Sequence, residues 1–217
     1  MRYRIFVCSQ SFIMLMNFLA HAFLSGDHND ILFGNFVADS IKGKMLDQYS
    51  EKIRQGVLLH RNIDTFTDQH PLVRQAVIDL RPEFGKFSAV VLDIYFDHYL
   101  ALHWNRYNEI ELIDYASKVY SVLFKRFRIS PPRSKRILPF MFAQNWLVGY
   151  ANFRDLERVF RGMSRRSNFE SGMERAVDHL KANHEKFEKV FFEFFPELMA
   201  FSENFRLQFF AVQSGNS

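Results

Sequence analysis

The chain has 217 residues, of which 48% are hydrophobic, 17% aromatic (26 of them Phe) and 24% charged, which excludes a disordered or low-complexity protein and supplies a sizeable buried core. A formal net charge of +4, with basic residues concentrated over 126–136 and 154–175, points to an acidic partner. The single cysteine, Cys8, excludes an internal disulfide and a Cys-rich zinc site, so a bound metal would take imidazole and carboxylate ligands; this fits a reducing, cytoplasmic compartment.

At the start of the chain, Arg2 and Arg4 precede an apolar run reaching Leu19, with Ala20 and Ala22 in the pattern of a leader cleavage site. Ser9, Gln10, Ser11 and Asn17 interrupt that run and make it too polar to span a membrane. The expected start is therefore Met14 or Met16, with residues 1–15 an extension outside the core. Residues 16–212 read as one domain and 213–217 as a disordered tail, with no Pro/Gly/Ser-rich linker between them.

Apolar residues recur at helical spacing and strand alternation is absent, which predicts an all-α fold. A short helix over Asn17–Leu24 is followed by the turn Ser25–Asn29. Asn29 or Asp30 then caps a second helix to about Ile41, ended by Gly43. A third helix over Ser50–Thr67 carries the stripe Ile53, Val57, His60 and Asp64. Pro71 suits the first turn of a fourth, and a fifth covers Ser88–Trp104. Further helices are expected over Glu109–Phe127, Pro132–Tyr150, Phe153–Met163 and Phe169–Phe195, the last stopped by Pro196. The run Phe191-Phe192-Glu193-Phe194-Phe195 reads as a core anchor rather than a lipid-binding face, and neither a membrane nor a nucleic acid is expected as partner.

The segment from Val90 to Leu100 is apolar on nearly every side of its helix, yet contains Asp93, Asp97 and His98. A buried carboxylate without compensation is costly, so each of these needs a cation, a strong donor or a wet cavity. His60 and Asp64, four apart, project from one helix face at ligand spacing, and Asp68 falls in the connection before Pro71. His21 in Asn17-Phe18-Leu19-Ala20-His21, and Asn35 and Asp39 in Gly34-Asn35-Phe36-Val37-Ala38-Asp39, are polar groups in apolar runs. Several apolar helices each offering His or Asp predict a shared cluster suited to Mn²⁺, Mg²⁺, Fe or Zn²⁺ and to hydrolysis. Lys42, Arg61, Arg165 and Arg166 are candidate contacts to phosphate or to an acidic surface. No G-x-x-x-x-G-K-[ST], G-x-G-x-x-G, G-x-S-x-G or H-E-x-x-H motif supports a nucleotide-loop, dinucleotide, serine-hydrolase or zincin reading.

The ordered segments Met16–His21, Gly34–Asp39, Leu59–Asp68, Leu92–Leu100 with His103-Trp104, and Gly162–Arg166 resemble the bacterial acyl carrier protein phosphodiesterases. That family looks like a divergent branch of the HD-domain metal phosphohydrolases. The resemblance implies a helical bundle that hydrolyses the phosphodiester between 4′-phosphopantetheine and a serine of holo-acyl carrier protein, with Mn²⁺ favoured. By the same motifs it implies Asp39 as catalytic residue and His21, Asp39, His60, Asp64, Asp97 and His98 as metal shell. Asp68, Asp93 and Asn35 stand behind these ligands, and Lys42, Arg61, Arg165 and Arg166 face the carrier protein. Lys42 stands where the family pattern suggests arginine, which keeps the charge but loses a bidentate fork. The alternatives are an HD-like hydrolase of a nucleotide or other small phosphodiester, and a noncatalytic carrier-protein-binding module.

Overall fold

The computed structural model describes residues 17–167 and 169–214, with side chains through Gln208. Among the described residues there is no strand; the elements are α-helices joined by short 3₁₀ turns. The extension expected over 1–15 and the end of the tail expected over 213–217 lie outside the described residues, apart from Gln213 and Ser214, which close the last helix.

The helices are α1 (Phe18–Leu24), α2 (Asn29–Val37), α3 (Glu51–Gln69), α4 (Pro71–Phe84), α5 (Ser88–Leu102), α6 (Leu112–Lys125), α7 (Pro132–Ala143), α8 (Trp146–Gly149), α9 (Phe153–Arg166), α10 (Ala176–Ala182) and α11 (His184–Ser214). Buried apolar side chains from all of them join one core. α5 is the axis of that core: Val91, Leu92, Ile94, Tyr95, Tyr99 and Leu100 are inaccessible, and α1, α4 and α11 surround it. Its two buried tyrosines direct their hydroxyls out of the apolar region, Tyr95 Oη donating to the Ala176 carbonyl at 2.6 Å and Tyr99 Oη to that of His184 at 2.8 Å.

The sequence pattern and the structure differ at four boundaries. α2 is capped by His28, whose Nδ1 accepts from the Asp30 amide, and it ends at Val37; a 3₁₀ turn over Ala38–Ser40 then carries Asp39. Asp68 belongs to the last turn of α3 and is exposed, not to a connection. The helix expected over 132–150 breaks at Asn145, whose φ of 44° is left-handed, a conformation asparagine tolerates better than most residues. The helix expected over 169–195 is divided into a 3₁₀ turn, α10 and α11, and α11 runs through Pro196 instead of stopping there. Proline inside a helix costs about 3 kcal/mol. Phe191, Phe194, Phe195 and Leu198, buried on both sides of it, offset that cost by about 1.5–3 kcal/mol each.

α2 and α3 make the most intimate helix pair. Gly34 and Gly56 face each other across it: a Cβ on Gly34 would collide with the Ile53 carbonyl oxygen, and one on Gly56 with that of Ile31. The absence of both side chains allows near contact between the two backbones. Asn35 follows Gly34, and His60 lies one turn after Gly56, so this crossing brings their side chains together.

Candidate metal centre

Asn35, fully buried on α2, lies at the centre of the polar network. Its Nδ2 donates to the His21 carbonyl at 3.1 Å, which fixes the orientation of the amide and leaves Oδ1 as an acceptor. That oxygen lies 2.8 Å from His21 Nδ1 and 2.9 Å from His60 Nδ1. One acceptor facing two ring nitrogens requires both Nδ1 atoms to carry hydrogen. In the neutral rings, both Nε2 atoms therefore bear lone pairs.

Both Nε2 atoms lie beside carboxylates. His21 Nε2 is 3.2 Å from Asp64 Oδ1; His60 Nε2 is 3.3 Å from Asp64 Oδ2 and 3.3 Å from Asp39 Oδ1. The imidazoles, whose centroids are 4.2 Å apart, are almost wholly buried, whereas the Asp64 side chain is 46% exposed and forms the rim. Behind the rings lies a narrow apolar cleft whose walls include Phe18, Leu32, Phe36 and Leu147.

A neutral imidazole nitrogen opposed to a carboxylate oxygen is repulsive unless a proton or a cation stands between them. His21 Nε2 is buried and makes no well-aligned hydrogen bond, Asp64 lying within ion-pair range but off axis. Burial pushes the His21 imidazolium down, but Asp64, Asn35 and Asp39 outweigh it, so the ring is held above its ordinary value. Asp64 is shifted oppositely: burial raises it, and His21 and His60 bring it below the usual carboxylate range.

The donor set fits a divalent cation. One ligand atom each from His21, His60 and Asp64 lies within 4.8 Å of the other two, the spacing expected around an ion with bonds of about 2.0–2.2 Å. Asp39 adds an oxygen beside His60, and Asn35 supplies the outer hydrogen bonds that orient both rings. Further carboxylates surround the group. Asp93 on α5 is raised well above the carboxylate range, first by burial and then by Asp64, Asp68, Asp97 and Asp39. Asp68, at the surface of the last turn of α3, is raised by partial desolvation and by Asp64. Such mutual repulsion is relieved by positive charge.

Asp97 and His98 stand outside this group. Asp97, inaccessible on α5, accepts from the Leu19 amide at 3.0 Å and the Ala20 amide at 2.8 Å, and so closes the N-terminal turn of α1, where Asn17 makes no side-chain cap. Burial pushes its carboxyl up to about 8, against these two N–H bonds and the Tyr150 hydroxyl. His98 Nδ1 lies 2.7 Å from the Tyr150 carbonyl, to which it donates, and Phe153 and Tyr99 stack around the ring. Of the basic residues, Arg61 donates to the Ile41 carbonyl at 3.1 Å and Lys42 is exposed in the same loop, near Asp39 in sequence. Arg165 and Arg166 end α9, which packs on α8, α10 and the 173–175 turn.

One side chain that motif reasoning passed over is Arg133 on α7. It is partly buried and electrostatically coupled to Asp39, and its neighbour Ser134 meets Ser40, beside Asp39, at 3.1 Å between hydroxyl oxygens. The basic concentration over 126–136 is the signal that contained it.

Comparison with known proteins bears on this geometry. The family model described as acyl carrier protein phosphodiesterase matches residues 16–198. A protein of that name from Photorhabdus laumondii is 32% identical over 193 residues, covering 87% of this chain and 96% of the relative. One from an Enterobacter species is 30% identical, covering 88% of this chain and all of the relative, and one from Yersinia pestis is 28% identical, with 85% and 96% covered. No solved structure matches the chain.

Proposed function

Because the chain belongs to the acyl carrier protein phosphodiesterase family, we propose that it hydrolyses the phosphodiester joining 4′-phosphopantetheine to the serine of holo-acyl carrier protein, releasing apo-carrier protein. The observation that carries the metal-dependent form of this reading is the single amide oxygen of Asn35 directing two imidazoles so that both Nε2 lone pairs meet Asp64. His21, His60, Asp64 and Asp39 would hold one divalent cation, Mn²⁺ being the ion that the family resemblance favours. When bound, the cation supplies Lewis-acid activation of water and charge neutralisation at the phosphoryl oxygens.

The protein's own groups have separable tasks. Asn35 keeps hydrogen on both Nδ1 atoms and so keeps both Nε2 atoms free to coordinate. Asp39, less buried than the rings and touching His60 through one oxygen, has its second oxygen available to accept a proton from the attacking water. The apolar wall of Phe18, Phe36 and Leu147 backs the imidazoles with a low-dielectric surface, which strengthens every charge interaction in front of it. Asp93 adds a further carboxyl group behind these residues, and Asp97 acts one step further back by anchoring the helix that carries His21. Residues 16–212 serve as one catalytic domain, supported by the continuous core, and the protein works in the cytoplasm; among the described residues no helix is long and apolar enough to cross a membrane.

Incubation of the purified protein with holo-carrier protein and Mn²⁺ tests the reading. A loss of mass from the carrier protein equal to phosphopantetheine is expected, abolished by chelator and absent in His60→Ala. Retention of the prosthetic group with every divalent ion tried, or faster cleavage of a small nucleotide diester, would overturn it.

A further inference from the structure

We propose that the carrier protein docks on the basic, partly apolar face of α7 and the loop beside it, rather than on the end of α9; this rests on the proposed function above. Between Asp114 and Asp155 the chain contains no acidic residue, and within that interval the stretch 126–136 contains Arg126, Arg128, Arg133, Lys135 and Arg136. Of these, only Arg126 is in an ion pair among the described residues, with Asp30 at 2.7 Å. A run of uncompensated charge of this kind raises a positive potential and attracts an acidic macromolecule.

The helix orders these charges. At 100° per residue, Ser134, Leu138 and Met141 form the buried stripe of α7, and Arg133, Arg136 and Phe140 fall within about 60° of one another on the outward side. Arg136 is exposed, and Phe140 is 63% exposed, the most open large apolar residue described. A guanidinium row ending in an open aromatic ring is the composition of an interface core and rim rather than of an ordinary solvated helix.

This face adjoins the metal centre. Ser134 touches Ser40 next to Asp39, and the Tyr49 hydroxyl donates to the Ile129 carbonyl at 3.0 Å, which joins the loop carrying Lys42 to the turn before α7. Arg133 lies nearest to the centre, feeling both Asp39 and Arg136, so a carrier protein seated over Arg136 and Phe140 would present its modified serine toward Arg133 and Asp39. α9 instead packs toward α10 and the 173–175 turn, and Arg166 folds back on the Gly162 carbonyl at 2.7 Å.

Binding of fluorescently labelled apo-carrier protein, which needs no turnover, tests the surface. Arg136→Glu should raise Kd at least tenfold and Phe140→Ala several-fold. Arg81→Glu, the same charge change on exposed α4, should stay within twofold of wild type, as should Arg165→Glu. Wild-type affinity in Arg136→Glu, equal weakening in Arg165→Glu or Arg81→Glu, or no binding to the wild-type protein would overturn the assignment. Phosphopantetheine release measured on the same wild-type sample separates the two claims: binding that depends on α7 without release removes the hydrolase and leaves the docking face.

Discussion

Two clusters of histidine and aspartate sit in apolar helices of this protein, and they are built on opposite principles. Around Asp97 and His98 the partners are mostly backbone: the Asp97 carboxyl receives two amides of α1 besides the Tyr150 hydroxyl, and the imidazole donates to the Tyr150 carbonyl. Around His21 and His60 the backbone takes almost no part; two rings share one amide oxygen and turn their free nitrogens toward acidic oxygens. The first arrangement fastens helices together. The second leaves electron pairs converging, which is productive only when something positive arrives. Buried polarity alone therefore does not identify a reactive centre, whereas unmatched and convergent lone pairs do.

The largest effect expected from breaking this contrast is in Asp64→Ala, where turnover should fall by about a thousandfold or more, equivalent to about 4 kcal/mol on the barrier, with little change in the melting temperature of the metal-free protein. Single-turnover assays and calorimetry check the two halves of that statement. Next is Asp97→Ala, which strands the amides of Leu19 and Ala20 at about 1–3 kcal/mol each; urea denaturation should show a loss of about 2–5 kcal/mol. Metal stoichiometry in the folded fraction should be unchanged, and a variant of wild-type stability that no longer binds metal would place Asp97 in the coordination shell instead.

Asn35→Ala should weaken Mn²⁺ binding about 10- to 100-fold in titration calorimetry by releasing both rings from their fixed tautomer. Wild-type affinity there would mean that the shared amide oxygen is dispensable. The smallest effect concerns Asp97→Asn. The folded carboxyl titrates near 8 because of burial, against an ordinary 3.8, so between those values the native state keeps a proton that the unfolded chain has lost. The stability it contributes is complete below about pH 4 and is lost as pH rises through about 8, with a slope of at most about 1.4 kcal/mol per pH unit. Wild-type stability should decline more steeply than that of Asp97→Asn between pH 6 and 7, and parallel profiles would refute the assignment.

Much of the fold was legible in the sequence because apolar spacing of 3.6 residues reports directly on packing: α1, α3, α5 and α6 begin and end close to where that spacing places them, and α4 starts at Pro71 as expected. The misplaced boundaries share a cause. The continuation of α11 through Pro196 and the break at Asn145 depend on what the flanking residues pack against, and a local pattern carries no record of that. In the site, the four-residue step from His60 to Asp64 announced a shared helix face. Asp93, Asp97 and Asp39, by contrast, are one residue type in similar apolar surroundings. Their difference is whether a neighbouring helix offers amide hydrogens, and this emerges only when α1 is laid against α5. Asn35 left the faintest signal: an uncharged amide has no ligand spacing, and its role comes from the glycine crossing beside it.

That crossing also determines how traffic reaches the centre. With Gly34 and Gly56 set against opposing carbonyls, the α2 and α3 backbones lie in near contact beneath the imidazoles and leave no space between them there. On the proposed reading the half-exposed carboxylate of Asp64 is the side from which a cation would enter. Selection among ions and diesters would then fall to the residues standing around that rim.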